Sequence, residues 1–247
     1  MGEGTERASN FLPRLDQAPR SNAEVDRSVI TITAPASVAA DQFRALYFRL
    51  ERLKQVRPLK LLAITSAVAG EGKTLTAVNL ALAAARANAD RRVLLVDADL
   101  RRGQVAELLG FRRTPGLKEL LEDEVEIGYA LRRFQGERLV VVPCGATSTE
   151  PTGALASQGM RKLLESVRAH FDEVYLDVPP VLPFADAAIV GGLADGVLLV
   201  IRANHTPARH VRQAVETLAG APIVGCVLNR LEPVDAGYRG WKEPRVR

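Results

Sequence analysis

The sequence predicts an α/β protein, a doubly wound and mostly parallel sheet with helices on both faces. Three observations predict it. From Leu59 onward, short unbroken apolar runs alternate with longer stretches whose apolar residues recur at helical spacing. That alternation is the pattern of strands buried on both faces by crossover helices. A glycine-rich turn, Gly70-Glu71-Gly72, joins the first such strand to the first such helix. The chain has 247 residues, 47% of them hydrophobic but only 5% aromatic, which favours helices and doubly covered strands over a sandwich rich in Tyr and Trp.

Residues 1–36 mix Gly, Asn, Ser, Pro and charges without a sustained period. They read as a flexible arm with a short extended piece at Val29–Thr33. From 37 to 55, Phe43, Leu46, Tyr47, Leu50 and Leu53 recur at helical spacing between Arg44, Arg49, Glu51 and Arg52. This is an amphipathic helix, ended by Arg57-Pro58. Lys60–Thr65 is a strand and Thr74–Ala87 an Ala-rich helix. Arg92–Val96 is a second strand. Val105–Leu109, Leu117–Glu122 and Ile127–Phe134 read as helical pieces, and Arg138–Val142 as a strand. Helices at Ala156–His170, Ala185–Gly192 and Pro207–Ala219 then alternate with strands at Glu173–Leu176, Gly196–Ile201 and Ile223–Leu228. With no repeat or linker inside, residues 37–231 form one domain, and 232–247 a loose tail.

A chain of this size buries a full core without disulfides or metals. Cys144 and Cys226 make no disulfide framework and read as two buried thiols in a reducing compartment, and His170, His205 and His210 are scattered. No apolar run reaches the roughly 18 residues of a membrane span, and residues 1–20 lack a signal-peptide core. The expectation is a cytoplasmic protein. The net charge of +4 is spread over dispersed Arg pairs, which read as solvated surface, so no nucleic-acid partner is expected.

Three motifs carry chemistry. Ala67-Val68-Ala69-Gly70-Glu71-Gly72-Lys73-Thr74 matches the phosphate-binding loop, with Ala67 in place of the first glycine. Gly70 and Gly72 let successive backbone N–H groups point inward, and the helix beginning near Lys73 adds its positive end. Lys73 would reach the β- and γ-phosphates of ATP, and Thr74 would place its hydroxyl on Mg²⁺. Second, Val93–Val96 ends in Asp97 and Asp99, at the carboxyl end of a strand, where α/β sheets build their sites. Two acids beside a phosphate imply a metal or a proton acceptor. Third, Val174–Leu176 ends in Asp177, followed by Val178-Pro179-Pro180, an acid placed to serve the same metal.

In this order the motifs resemble those of the bacterial tyrosine kinases of capsule and exopolysaccharide synthesis, P-loop ATPases with a MinD/ParA-like fold. The resemblance spans about 38–231. Ala67–Thr74 match the first motif, with Ala69 where proline is usual. Asp97, Asp99 and Arg101 match the second, and Asp177–Pro180 the third. Asn229 matches an adenine-contacting asparagine, and Pro143–Ser157 a proline-bearing segment. The resemblance implies ATP and Mg²⁺ as cofactors. Lys73, Asp97, Asp99 and Asp177 would be catalytic, with Thr74, Asp97 and Asp177 toward the metal. Ala69, Gly70, Glu71, Gly72, Lys73, Thr74, Leu75, Asn229 and Arg230 would form the nucleotide site. It also implies a separate membrane-anchored polysaccharide co-polymerase as activator, membrane contact only through it, and a homo-oligomer.

Some residues depart from the family pattern. MinD and ParA ATPases carry a lysine second in the loop, here Val68, which sets this chain with the kinases. The kinases' tyrosine-rich tail is reduced to Tyr238, the candidate phosphosite. Their Glu-x-x-Arg-x-x-Arg helix motif falls on Asp41, Arg44 and Tyr47. Two alternatives stay open: a nucleotide switch on a polysaccharide export complex that phosphorylates nothing, and a positioning ATPase.

Overall fold

A computed structural model of the chain describes residues 20–21, 24–134 and 137–231. Eight strands form one sheet: β1 (Arg20–Ser21), β2 (Leu61–Ser66), β3 (Val93–Asp97), β4 (Arg132–Phe134), β5 (Leu139–Val142), β6 (Glu173–Asp177), β7 (Gly196–Arg202) and β8 (Ile223–Asn229). Their order is β1-β4-β5-β3-β6-β2-β7-β8, and every pairing is parallel except β4 with β5. The parallel strands point their carboxyl ends at one edge. In register, Asp97 pairs with Asp177 and Asp177 with Ile64, so the ends of β2, β3 and β6 lie side by side.

Ten helices are described: α1 (Ile30–Thr33), α2 (Val38–Lys54), α3 (Lys73–Ala87), α4 (Val105–Leu108), α5 (Leu117–Leu121), α6 (Ile127–Ala130), α7 (Pro151–Ala156), α8 (Gln158–His170), α9 (Asp186–Leu193) and α10 (Ala208–Thr217). The central helix α3 is buried continuously from Thr76 to Ala85. Alanine favours the helix and lets it lie close to the sheet. Its core also includes Leu62, Ile64, Leu95 and Leu198, while Leu94, Leu176, Phe171 and Leu199 pack on the other face. Both faces are therefore filled, as the unbroken apolar strands predict.

Helix α2 begins at Ser37, whose side chain accepts the Ala40 N–H, and it buries Ala40, Tyr47 and Leu50. Its inner face meets the amino end of β6 in an ionic network. The buried Glu173 carboxylate pairs with Lys54 at 2.7 Å and Arg91 at 2.8 Å, and accepts the Tyr175 hydroxyl at 2.6 Å. Burial pushes this carboxyl up, but Lys54, Tyr175 and Arg91 more than offset it, leaving Glu173 below its ordinary value.

The structure corrects four expectations. Val29–Thr33 is not extended: Val29 is buried and Ile30–Thr33 makes a helical turn. Thr31 fixes that turn, its N–H donating to Asn79 Oδ1 at 2.9 Å, so this part of the arm packs on α3. Ile127–Phe134 is not one helix. It turns extended at Leu131 and continues as β4, where the Arg132 guanidinium donates to the carbonyls of Tyr129, Leu131, Thr114 and Pro115. The helix expected from Ala156 is broken at Ser157, whose hydroxyl instead caps α8 by accepting the Met160 N–H at 3.1 Å. Cys144 is buried, but Cys226 is exposed, because β8 is an edge strand.

Candidate active site

The site begins where β2 ends. Gly70 and Gly72 hold φ of 83° and 94°, the left-handed region open to glycine, and Gly72 caps α3. Gly72 has a second constraint, since a Cβ there would collide with the Asn229 amide. Asn229, at the end of β8, donates from Nδ2 to the Glu71 carbonyl at 2.8 Å. The Glu71 side chain, 1% exposed, closes the loop from inside. It accepts the Val68 N–H at 3.0 Å and the Thr206 hydroxyl from the turn after β7.

Lys73 turns its ammonium into the acids. Nζ lies 2.8 Å from Asp99 Oδ2, 3.4 Å from both Asp177 oxygens and 3.2 Å from Thr74 Oγ1. Burial opposes its charge, but Asp177 and Asp99 more than restore it, so Lys73 stays above its ordinary value. Asp177 is fully buried, and burial drives its carboxyl up against the pull of Lys73. Burial, with the charge of Asp177, pushes Asp97 up to about 8. Asp97 accepts the Asp99 N–H at 3.2 Å and the Val105 N–H at 3.1 Å. Asp99 accepts the Arg101 and Arg102 N–H groups at 3.3 and 2.9 Å. Asp97 and Asp99 thus shape the loop that carries them.

The Asp177–Pro180 segment runs along the loop. Val178 and Val181 N–H donate to the Ile64 and Ser66 carbonyls, and Thr65 Oγ1 donates to Pro179 O at 2.6 Å. This zipper fixes Asp177 against the loop's base.

Lys73, Thr74, Asp97, Asp99 and Asp177 thus come together, with Gly72, Glu71 and Asn229 beside them. Ala69 and Gly70 are exposed at the mouth. Arg230 is exposed next to Asn229 with φ of 56°. Leu75 lies in the first turn of α3, where its carbonyl accepts Asn79 Nδ2. Tyr238 falls outside the described residues.

Two features go beyond the motifs. Thr206 anchors Glu71, and nothing in its local sequence marks it except the Pro207 that opens α10. Arg101 donates to Asp186 at 2.8 Å and Thr152 at 2.9 Å while stacking on Phe184 at 3.8 Å, tying the second motif to α7 and α9. Asp186, fully buried at the head of apolar α9, was the available signal.

The donor set suits Mg²⁺. Thr74 Oγ1 and carboxylate oxygens are the hard ligands this ion takes, usually with phosphate oxygens and water completing the shell. No group of three His, Cys, Asp or Glu among the described residues is placed to hold a metal alone. Lys73 stands as the cation among these acids.

Comparison with known proteins places this fold and its family. Residues 59–221 match the family model described as an AAA domain. The tyrosine-protein kinase YwqD of Bacillus subtilis (strain 168) is 34% identical over 226 residues, covering 90% of this chain and 94% of its own length. The succinoglycan biosynthesis transport protein ExoP of Rhizobium meliloti (strain 1021) is 32% identical over 92% of this chain, which spans only 29% of ExoP. Among solved structures, the kinase domain of the Escherichia coli tyrosine kinase ETK superposes with a TM-score of 0.79 at 32% identity, over 89% of this chain and 85% of that one.

Proposed function

We propose that this chain, which belongs to the bacterial tyrosine-protein kinases of the AAA-domain P-loop group, passes the γ-phosphoryl group of ATP to tyrosine at the Lys73 cluster. The fold is a nucleotide-binding one, and the relatives YwqD and ETK are kinases in name. The observation that carries the proposed site is Lys73. Its ammonium stands at the head of α3, on the loop, and in contact with Asp99 and Asp177.

The residues divide the work as follows. Backbone N–H groups at Gly70–Thr74 receive the phosphates, aided by the positive end of α3. Lys73 leaves the carboxylates for the β- and γ-phosphates and follows the charge that builds there during transfer. Asn229 holds the loop from the base side and lines the adenine end. Thr74, Asp97 and Asp177 would hold Mg²⁺. When bound, that ion neutralises phosphate charge and orients the γ-phosphoryl group. Asp97 accepts the tyrosine proton once its buried carboxyl is ionised. Asp99 steadies Lys73 and the turn that carries Arg101.

Two further elements belong to this reading. The first is a membrane-anchored partner of polysaccharide export. It is supported by ExoP, where a matching region accounts for less than a third of a transport protein. Among the described residues no helix is long and apolar enough to cross a membrane. Location at the cytoplasmic membrane face through that partner follows. The second is self-association, with the described α2 carrying Asp41, Arg44 and Tyr47 where the family pattern has an acid and two arginines. Tyr47 is buried, so only Arg44 of the second and third positions is offered outward.

The test is ATP turnover and phosphotyrosine formation by the purified chain, alone and with membranes from its source, beside Lys73→Met. Kinase action predicts phosphotyrosine that the variant lacks. Turnover without phosphotyrosine in either condition would instead favour the nucleotide switch, a reading that the small number of tyrosines, four in the chain, supports.

A further inference from the structure

The four tyrosines stand at 47, 129, 175 and 238. Tyr47 and Tyr175 are 3% and 2% exposed, and both hydroxyls point to the Glu173 carboxylate. Neither enters another molecule's site without unfolding its surroundings. Tyr238 lies outside the described residues. Tyr129 is 63% exposed, on α6, in a surface run where Glu122, Asp123, Glu124 and Glu126 are also exposed.

Its place in the fold matters more than its exposure. Because β4 runs antiparallel to β5, the start of β4 lies at the carboxyl end of β5. α6 leads directly into that start. α5, which packs on α6, is pinned to the same end, where the Leu117 and Lys118 N–H groups donate to the Pro143 and Cys144 carbonyls at 2.7 and 3.0 Å. Tyr129 therefore stands on the sheet edge that carries the phosphate loop. It does not reach its own loop: β4 and β2 are four strand spacings apart in the sheet order, about 19 Å at about 4.8 Å each. The rim of the site carries exposed Arg102, just past Asp99, and exposed Arg230, next to Asn229. An acidic acceptor segment complements such a rim.

We propose that Tyr129 is a phosphoacceptor, presented by one copy of the chain to the nucleotide site of a second copy. The proposal rests on the kinase reading. The Tyr129 phenolic oxygen forms a bond to the γ-phosphorus of ATP, and the bond from that phosphorus to the β,γ-bridging oxygen breaks. ADP leaves with the electron pair, and the phenolic proton is taken up by the carboxylate cluster of the catalysing copy. The product adds up to about two negative charges to an already acidic surface.

The experiment mixes unlabelled active chain with ¹⁵N-labelled Lys73→Met chain, Mg-ATP and source membranes, and maps phosphopeptides by mass spectrometry. The expected result is phosphate at Tyr129 of the labelled copy, present only when the active copy is added and rising with total concentration. A second arm uses Tyr129→Phe in the otherwise unaltered chain, an exposed change that does not depend on the folding of the Lys73 variant. It is expected to lose the phosphate from the peptide containing position 129 while ATP turnover stays within about twofold. Phosphotyrosine confined to Tyr238 or to other proteins overturns the proposal and leaves the kinase reading standing. Phosphotyrosine nowhere overturns both.

Discussion

Gly72 shows how one residue serves two demands. Its φ of 94° suits glycine, and the space a side chain would need is taken by the Asn229 amide. Gly72→Ala is expected to weaken ATP binding at least tenfold, read by titration calorimetry, with Asn229→Ala in the same background recovering part of the loss. Thr206 gives a companion prediction. In Thr206→Val a buried Glu71 oxygen loses its donor, a change worth about 1–3 kcal/mol. Denaturant unfolding should register that loss, and Thr206→Ser should restore it. At this scale the sequence was most legible where the chemistry is local. The loop glycines, Lys73 and the strand-end acids announce themselves by spacing. Thr206 and the Asp186–Arg101 clamp do not, because their partners lie 135 and 85 residues away.

Among the elements, β6 carries a charged group at each end. Asp177 faces the site, and Glu173 holds α2 and Arg91 at the opposite edge. Glu173 lies below its ordinary value when folded, so its contribution is full above the unfolded pKa of about 4.3 and fades as pH falls through the lower folded value. Glu173→Gln is expected to lower stability at pH 7 and to flatten the acid limb of the stability profile, measured by thermal melts between pH 3 and pH 7. An unchanged acid limb would show that the network contributes nothing. Helix α3 makes a packing prediction: Ala84→Leu, at a fully buried position, should cost about 1–3 kcal/mol by overpacking. The alternation of strands and helices was readable because β2, β3, β5, β6 and β7 carry buried apolar runs. Misread boundaries fell where one residue changes the backbone's direction. Ser157 caps a new helix, and Leu131 turns α6 into β4, a three-residue strand of two arginines and Phe134 with no apolar run to mark it. The turn at Ile30–Thr33 was hidden because it depends on Asn79, far along the chain.

For the whole molecule, sheet order does what no motif does alone. Placing β2 between β6 and β7, and β3 between β5 and β6, sets three acids and one lysine from separate segments within a few ångströms. Motif order implied such a convergence, and the parallel register of Asp97 with Asp177 accomplishes it. Strand β4 and the edge strand β8 add the rest: one leads from Tyr129, the other delivers Asn229 to the loop. The central claim is that this cluster transfers phosphate to tyrosine. The most direct measurement follows γ-labelled phosphate from ATP in the purified chain with source membranes. The account predicts acid-stable label on tyrosine that Lys73→Met abolishes. Label released only as inorganic phosphate, equally with and without membranes, would contradict it.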